Sequence, residues 1–152
     1  MNIVLFEPEI PYNTGNIGRS CVLTNSTLHL IKPLGFSLDE KSVRRAGLDY
    51  WHLVKIKEWD SFEDFIKGNP DGNFYFATTK CKNKYTDVQF KENDFIVFGP
   101  ESRGLPKSIL DEYSDKCITI PMIEMGRSLN LSNSAAIILY EALRQTNFNF
   151  GE

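Results

Sequence analysis

Short apolar runs alternate with mixed, amphipathic segments along the whole chain. Asn2–Phe6, Leu28–Ile31, His52–Ile56, Phe74–Ala77, Phe95–Phe98 and Cys117–Ile120 are predicted as strands by their length and their β-branched and aromatic content. Between them, Thr14–Thr24, Glu40–Ala46, Ser61–Lys67, Lys107–Tyr113 and Ser132–Thr146 are predicted as helices. Short strands with helices between them imply an α/β fold: a mostly parallel, six-stranded sheet with helices on both faces. Phe95-Ile96-Val97-Phe98 is apolar on both faces, as a central strand is. In the last helix Ala135, Ile138, Leu139, Ala142 and Leu143 recur at helical spacing and define a buried stripe, with Tyr140 and Arg144 off it.

Open parallel sheets bind ligands beyond the carboxyl ends of their strands, and conspicuous loops follow three of the predicted ones. Ala77 runs into Thr78-Thr79-Lys80, Phe98 into GPESRGLP, and Ile120 into Pro121 and the polar stretch GRSLNLSN. A helix needs one cap residue; the stretch Gly126–Asn133 offers several. GPESRGLP also reads as a plain turn leading to a helix with Pro106 at its first position. The coincidence of such loops on one edge points instead to a cavity. In PYNTGNIGRS, Asn13 or Thr14 is the predicted helix cap, and Gly15 and Gly18 share one helix face. Glycines there cost about 1 kcal/mol each against alanine. Either tight packing against a neighbour explains them, or the close approach of an RNA backbone or second subunit.

A chain of 152 residues, 41% apolar and 24% charged, fits one soluble domain. It lacks the run of about 18 apolar residues that a membrane helix needs, and it starts in a strand-like run, so neither an anchor nor a leader peptide is expected. Three widely spaced cysteines, Cys21, Cys81 and Cys117, suggest buried thiols in a reducing compartment. A net charge of -3 exerts no overall pull on nucleic acid, so an RNA site would have to be a local patch or one assembled from two subunits. No dinucleotide fingerprint, P-loop, nucleophile elbow or paired Cys/His metal spacing occurs. His29 and His52 read as packing or surface residues, and Glu7 and Glu9 lack the second carboxylate cluster of a glycosidase.

NTGNIGR, FGPESRGLP and IPMIEMGRSLNLSNSAAIILYE, in that order, resemble the three signature motifs of the SPOUT methyltransferases. EPEIPYNTGNIGR and RRAGLDYW are similar to the single-domain members that methylate the wobble ribose of tRNA. The resemblance implies a C-terminal deep trefoil knot, bound S-adenosylmethionine, and an obligate homodimer whose active site draws on both subunits. It implies cofactor contacts from Ala77, Thr78, Gly99, Glu101, Ile120, Met122, Ser128 and Leu129. Arg19 matches the catalytic arginine, and Asn13, Glu101, Asn130 and Ser132 match its polar support. RNA contacts are expected from Arg19, Arg44, Arg45, Arg127 and Tyr140, with Lys80, Lys82, Lys84 and Arg103 as further cationic candidates. The implied partner is the tRNA anticodon stem-loop, in the cytoplasm, without metal or membrane. Methylation of another RNA such as rRNA, or a non-catalytic RNA-binding module, are the alternatives.

Overall fold

A computed structural model describes residues 1–151 with the exception of 40, 42, 44, 46 and 47. Its centre is a six-stranded sheet in the order β3-β2-β1-β5-β4-β6, parallel at every pairing. The strands are β1 (Asn2–Phe6), β2 (Thr27–Ile31), β3 (Lys55–Trp59), β4 (Phe74–Ala77), β5 (Phe95–Phe98) and β6 (Cys117–Ile118). Helices α1 (Pro11–Leu23), α2 (Phe62–Gly68), α3 (Lys107–Glu112) and α4 (Leu131–Gln145) connect and cover them.

The period-two geometry of a strand divides the apolar residues between two cores. Ile3, Leu5, Leu28, Leu30, Ile96, Phe98 and Ile118 face α1 and α4, meeting Ile17, Cys21 and the α4 stripe of Ala135, Ile138, Leu139, Ala142 and Leu143. Val4, Phe6, Ile31, Phe76, Phe95 and Val97 face the other way, onto Phe65 of α2 and Ile109 of α3. β5 lies next to β1 in the middle of the sheet and is buried at every residue, as its uninterrupted apolar run requires.

Three strands differ from their predicted bounds, β2 only by starting one residue earlier, at Thr27. β3 starts three residues later than His52, because Leu48–Leu53 winds instead into a 3-10 turn against α1. β6 stops at Ile118; Thr119 turns its backbone to the segment 83–85, accepting from Tyr85 N–H at 2.9 Å and donating to the Asn83 carbonyl at 2.8 Å. Of the expected Glu40–Ala46 helix, residues 40, 42, 44 and 46 lie outside the described set; Lys41, Val43 and Arg45 are helical. Cys21, Cys81 and Cys117 are free thiols, and no helix of the described residues is long and apolar enough to cross a membrane.

His29 is a packing residue, 1% exposed in β2. Trp59 Nε1–H donates to its Nδ1 at 3.0 Å, which places the ring proton on Nε2, facing Asn2 Oδ1 at 2.9 Å. The ring stacks on Trp59 and meets Phe65 and Phe95. Burial, with a smaller contribution from Lys57, lowers its pKa to about 4 from 6.5. Between those values the unfolded chain binds the proton more readily, so stability falls as pH drops from 6.5 toward 4. The His29 share of that loss is expected to reach about 2–3 kcal/mol. Denaturant melts of the protein and of His29→Gln at pH 7 and 4.5 measure it; equal pH dependence in the two would contradict it.

Candidate active site

The loops that leave β1, β5 and β6 converge, and one carboxylate joins them. Glu101 accepts Glu9 N–H at 2.8 Å, Ile10 N–H at 2.8 Å and the Asn13 side-chain amide at 3.1 Å. Ile10 is the N-cap of α1 and has no capping side chain of its own; Pro11 opens the helix. Glu101 therefore supplies, from the loop after the neighbouring strand β5, the negative charge that a helix start favours. This corrects the sequence-based cap: Asn13 and Thr14 lie buried inside the helix, and the Thr14 hydroxyl has no hydrogen-bond partner among the described residues. The local sequence could not show this, because the capping group lies far along the chain.

Asn13 passes the connection on. Its side-chain oxygen accepts from Asn130 Nδ2 at 3.1 Å, and Asn130 caps α4 by accepting from the backbone of Ser132 and Asn133. The Ser132 hydroxyl donates to the same Asn130 oxygen at 2.6 Å. Glu101, Asn13, Asn130 and Ser132 thus form one hydrogen-bonded chain. Two straps reinforce it. Glu9 accepts from the backbone and hydroxyl of Ser102, which hold its carboxyl below the usual range. Glu7, in a left-handed turn at φ 48° straight after β1, pairs with Arg103 at 2.7 Å.

A cavity of about 470 Å³ opens beyond the carboxyl ends of β4, β5 and β6, within the size range of small-molecule sites. Ala77, Thr78, Gly99, Glu101, Ile120, Met122, Ser128 and Leu129 all line it, as do Asn13 and Asn130. Sequence reasoning missed its apolar wall of Leu105, Ile118 and Ile138. The α4 stripe marked Ile138 only as core, and nothing in a stripe shows that a core residue also faces a hollow. The GPESRGLP loop can curl over this space because Gly99 has no side chain: a Cβ there would collide with Leu105 N and the Gly104 backbone. Gly104 itself sits at φ +69°, a conformation that side chains oppose.

Other expected site residues fall elsewhere. Arg19 and Ser132 do not line the cavity. Roughly 9 Å of helical rise separates Arg19 from Asn13 along α1. The Arg19 guanidinium lies over the Tyr50 ring, 5.1 Å from its centroid. Arg45 and Arg127 are exposed, Tyr140 is 45% exposed, and Arg44 lies outside the described residues. Lys80 and Arg103 do line the cavity, with Arg103 also paired to Glu7, whereas Lys82 and Lys84 are simply exposed.

Removing the Glu101 carboxylate by Glu101→Ala takes the cap from the Glu9 and Ile10 amides, at an expected cost of about 0.5–2 kcal/mol. Glu101→Gln, which keeps one acceptor oxygen, should lose less. Hydrogen exchange at the Glu9 and Ile10 amides is the readout; unchanged protection in the alanine variant would show that another group caps α1.

Residues 1–140 match the model of the SpoU rRNA Methylase family. A Geobacillus stearothermophilus protein, provisionally named a tRNA (cytidine(34)-2'-O)-methyltransferase, is 53% identical over 98% of this chain and 97% of its own. An Aeromonas hydrophila protein named tRNA (cytidine(34)-2'-O)-methyltransferase is 45% identical over 97% of this chain and 96% of its own. A solved structure described as bearing on the 2-OH methylation of C/U34 on tRNA superposes with a TM-score of 0.92, at 39% identity, covering 96% of this chain and 95% of that one. With its signature loops gathered at one sheet edge and relatives matched from end to end, the chain belongs to the SpoU rRNA Methylase family.

Proposed function

We propose that this protein transfers a methyl group from S-adenosylmethionine to the ribose 2′-oxygen of the wobble nucleotide, cytidine or modified uridine, in the anticodon stem-loop of tRNA. The observation that carries this reading is the cavity: the loops after β4, β5 and β6 enclose one space, lined by all eight positions that match the cofactor motifs. The names of full-length relatives support the substrate. The cavity suits the cofactor in chemistry as well as size. Leu105, Ile118, Ile120, Leu129 and Ile138 offer an apolar wall for an adenosyl group, and Thr78, Ser128 and Asn130 offer polar groups beside it. When bound, S-adenosylmethionine supplies an electrophilic methyl on a sulfonium.

The protein's own task is alignment and charge control. The hydrogen-bonded chain from Glu101 through Asn13 to Asn130 holds the cavity mouth in one shape. Arg19, whose guanidinium stays protonated, steadies negative charge on the 2′-oxygen or binds an adjacent phosphate.

Because Arg19 stands away from the cavity of its own chain, a homodimer that brings the arginine of one copy to the cavity of the other completes the site. Exposed apolar side chains on the two helices that pack together, Tyr12 and Leu23 on α1 and Ile137 and Tyr140 on α4, support a second copy as their cover. The knot has support too. Thr119 follows β6 into a place beside the segment 83–85, while Gln145 of α4 bonds the backbone of Val88 and Phe90 in that same connection, as a tail threaded past it would. A single domain acting in the cytoplasm fits this reading.

Labelled S-adenosylmethionine offered with tRNA should mark transcripts carrying a ribose at position 34 and leave 2′-deoxy-34 transcripts unmarked. Label retained on the deoxy substrate would move the target to another nucleotide; no transfer with intact cofactor binding would leave a binding module. Arg19→Lys is expected to slow single-turnover transfer about 10–100-fold with tRNA affinity nearly unchanged. Co-expressing it with an inactive cavity variant, Gly99→Ala, should restore part of the activity in mixed dimers. Absence of restoration would place the arginine and the cavity it serves in one chain.

A further inference from the structure

Gly18 and Arg19 of the motif NTGNIGR meet Trp51 and Tyr50, at the end of the motif RRAGLDYW. Gly18 is buried on α1, and a Cβ there would lie 2.9 Å from Trp51 Cζ3, 3.3 Å from Trp51 Cε3 and 3.4 Å from Val54 Cγ2. The indole therefore seats where a side chain would have stood, and the Leu48–Leu53 turn is registered against the helix one residue before Arg19. Tight packing, rather than an approaching ligand, accounts for this glycine. The turn is closed by Val54 N–H donating to the Trp51 carbonyl at 3.2 Å. Tyr50, next to Trp51, presents its ring to the Arg19 guanidinium with 5.1 Å between the guanidinium carbon and the ring centroid.

The kind of contact matters. An arginine side chain samples many rotamers, and something must hold it if it is to act at a defined place. A carboxylate would hold it through the N–H fork, occupying the donors and offsetting the charge. A ring face attracts the cation through its quadrupole and leaves the N–H edge available for an anionic oxygen. The geometry points to Tyr50 as a positioning residue for Arg19: its ring selects the rotamer that presents the guanidinium, and the Gly18–Trp51 contact sets where that ring stands. The inference rests on the reading of Arg19 as the group that meets the 2′-oxygen.

Tyr50→Leu removes the ring face, and Tyr50→Phe keeps it without the hydroxyl. Under saturating tRNA and S-adenosylmethionine, Tyr50→Leu should lower the single-turnover rate about three- to tenfold, with tRNA dissociation constant and melting temperature nearly those of the parent. Tyr50→Phe should match the parent. Full activity in Tyr50→Leu, equal losses in the two variants, or a loss confined to tRNA affinity would each overturn the proposal. A second readout needs no activity. The Arg19 Nε–Hε resonance should show an upfield ring-current shift in the parent and in Tyr50→Phe; its absence from the parent overturns the proposal even if Tyr50→Leu fails to fold. Failure of the parent to methylate tRNA would instead defeat the functional reading, while this resonance still reports whether the ring holds the guanidinium.

Discussion

The Glu101 carboxylate is the joint on which the functional end of this molecule turns. Loops beyond a parallel sheet have no ladder of their own, so their backbone amides need partners from elsewhere. Here one side chain from the loop after β5 satisfies two amides at the start of α1 and a side-chain amide inside it. Asn13 then hands the connection to Asn130, and Asn130 caps α4. Two helix starts and two loops are set by one run of hydrogen bonds. Its geometry depends on an anion at one end, because a carboxylate can accept from several donors at once.

The rigidity that makes such a joint useful comes from the sheet beneath it. β1 and β5 are neighbours at the centre and are covered on both faces, so their carboxyl ends cannot drift relative to one another. The Glu7–Arg103 and Glu9–Ser102 straps cross the same gap as Glu101. Ile138 shows how economically the cavity is made: it belongs to the α4 core stripe and to the cavity wall together. Gly99 supplies the remaining condition, since any side chain there would push the covering loop away.

Which features were legible beforehand follows from the range of the forces behind them. The α4 stripe and the buried β5 run depend on neighbours within a turn or a strand, and each stands where the sequence predicts it. The cap of α1 does not, because Ile10 offers nothing and Glu101 is remote. The local pattern predicts a strand from His52, yet the packing of Trp51 on Gly18 sets that segment as a turn on α1. Cys117–Ile120 shortens because Thr119 bonds the segment 83–85, a partner that no local pattern names.

By itself the sequence determined the strand and helix alternation, the division of apolar residues into two faces, and the motifs that place the chain among its relatives. Those are properties of periodicity and of residue identity, and they need no coordinates. Only the tertiary structure decided the strand order, the convergence of Glu101 with Asn13 and Asn130, the closure of the cavity, and the seat of Arg19 on Tyr50 away from it. Each of these joins residues distant along the chain, and such contacts exist only once packing of the whole has brought the segments together.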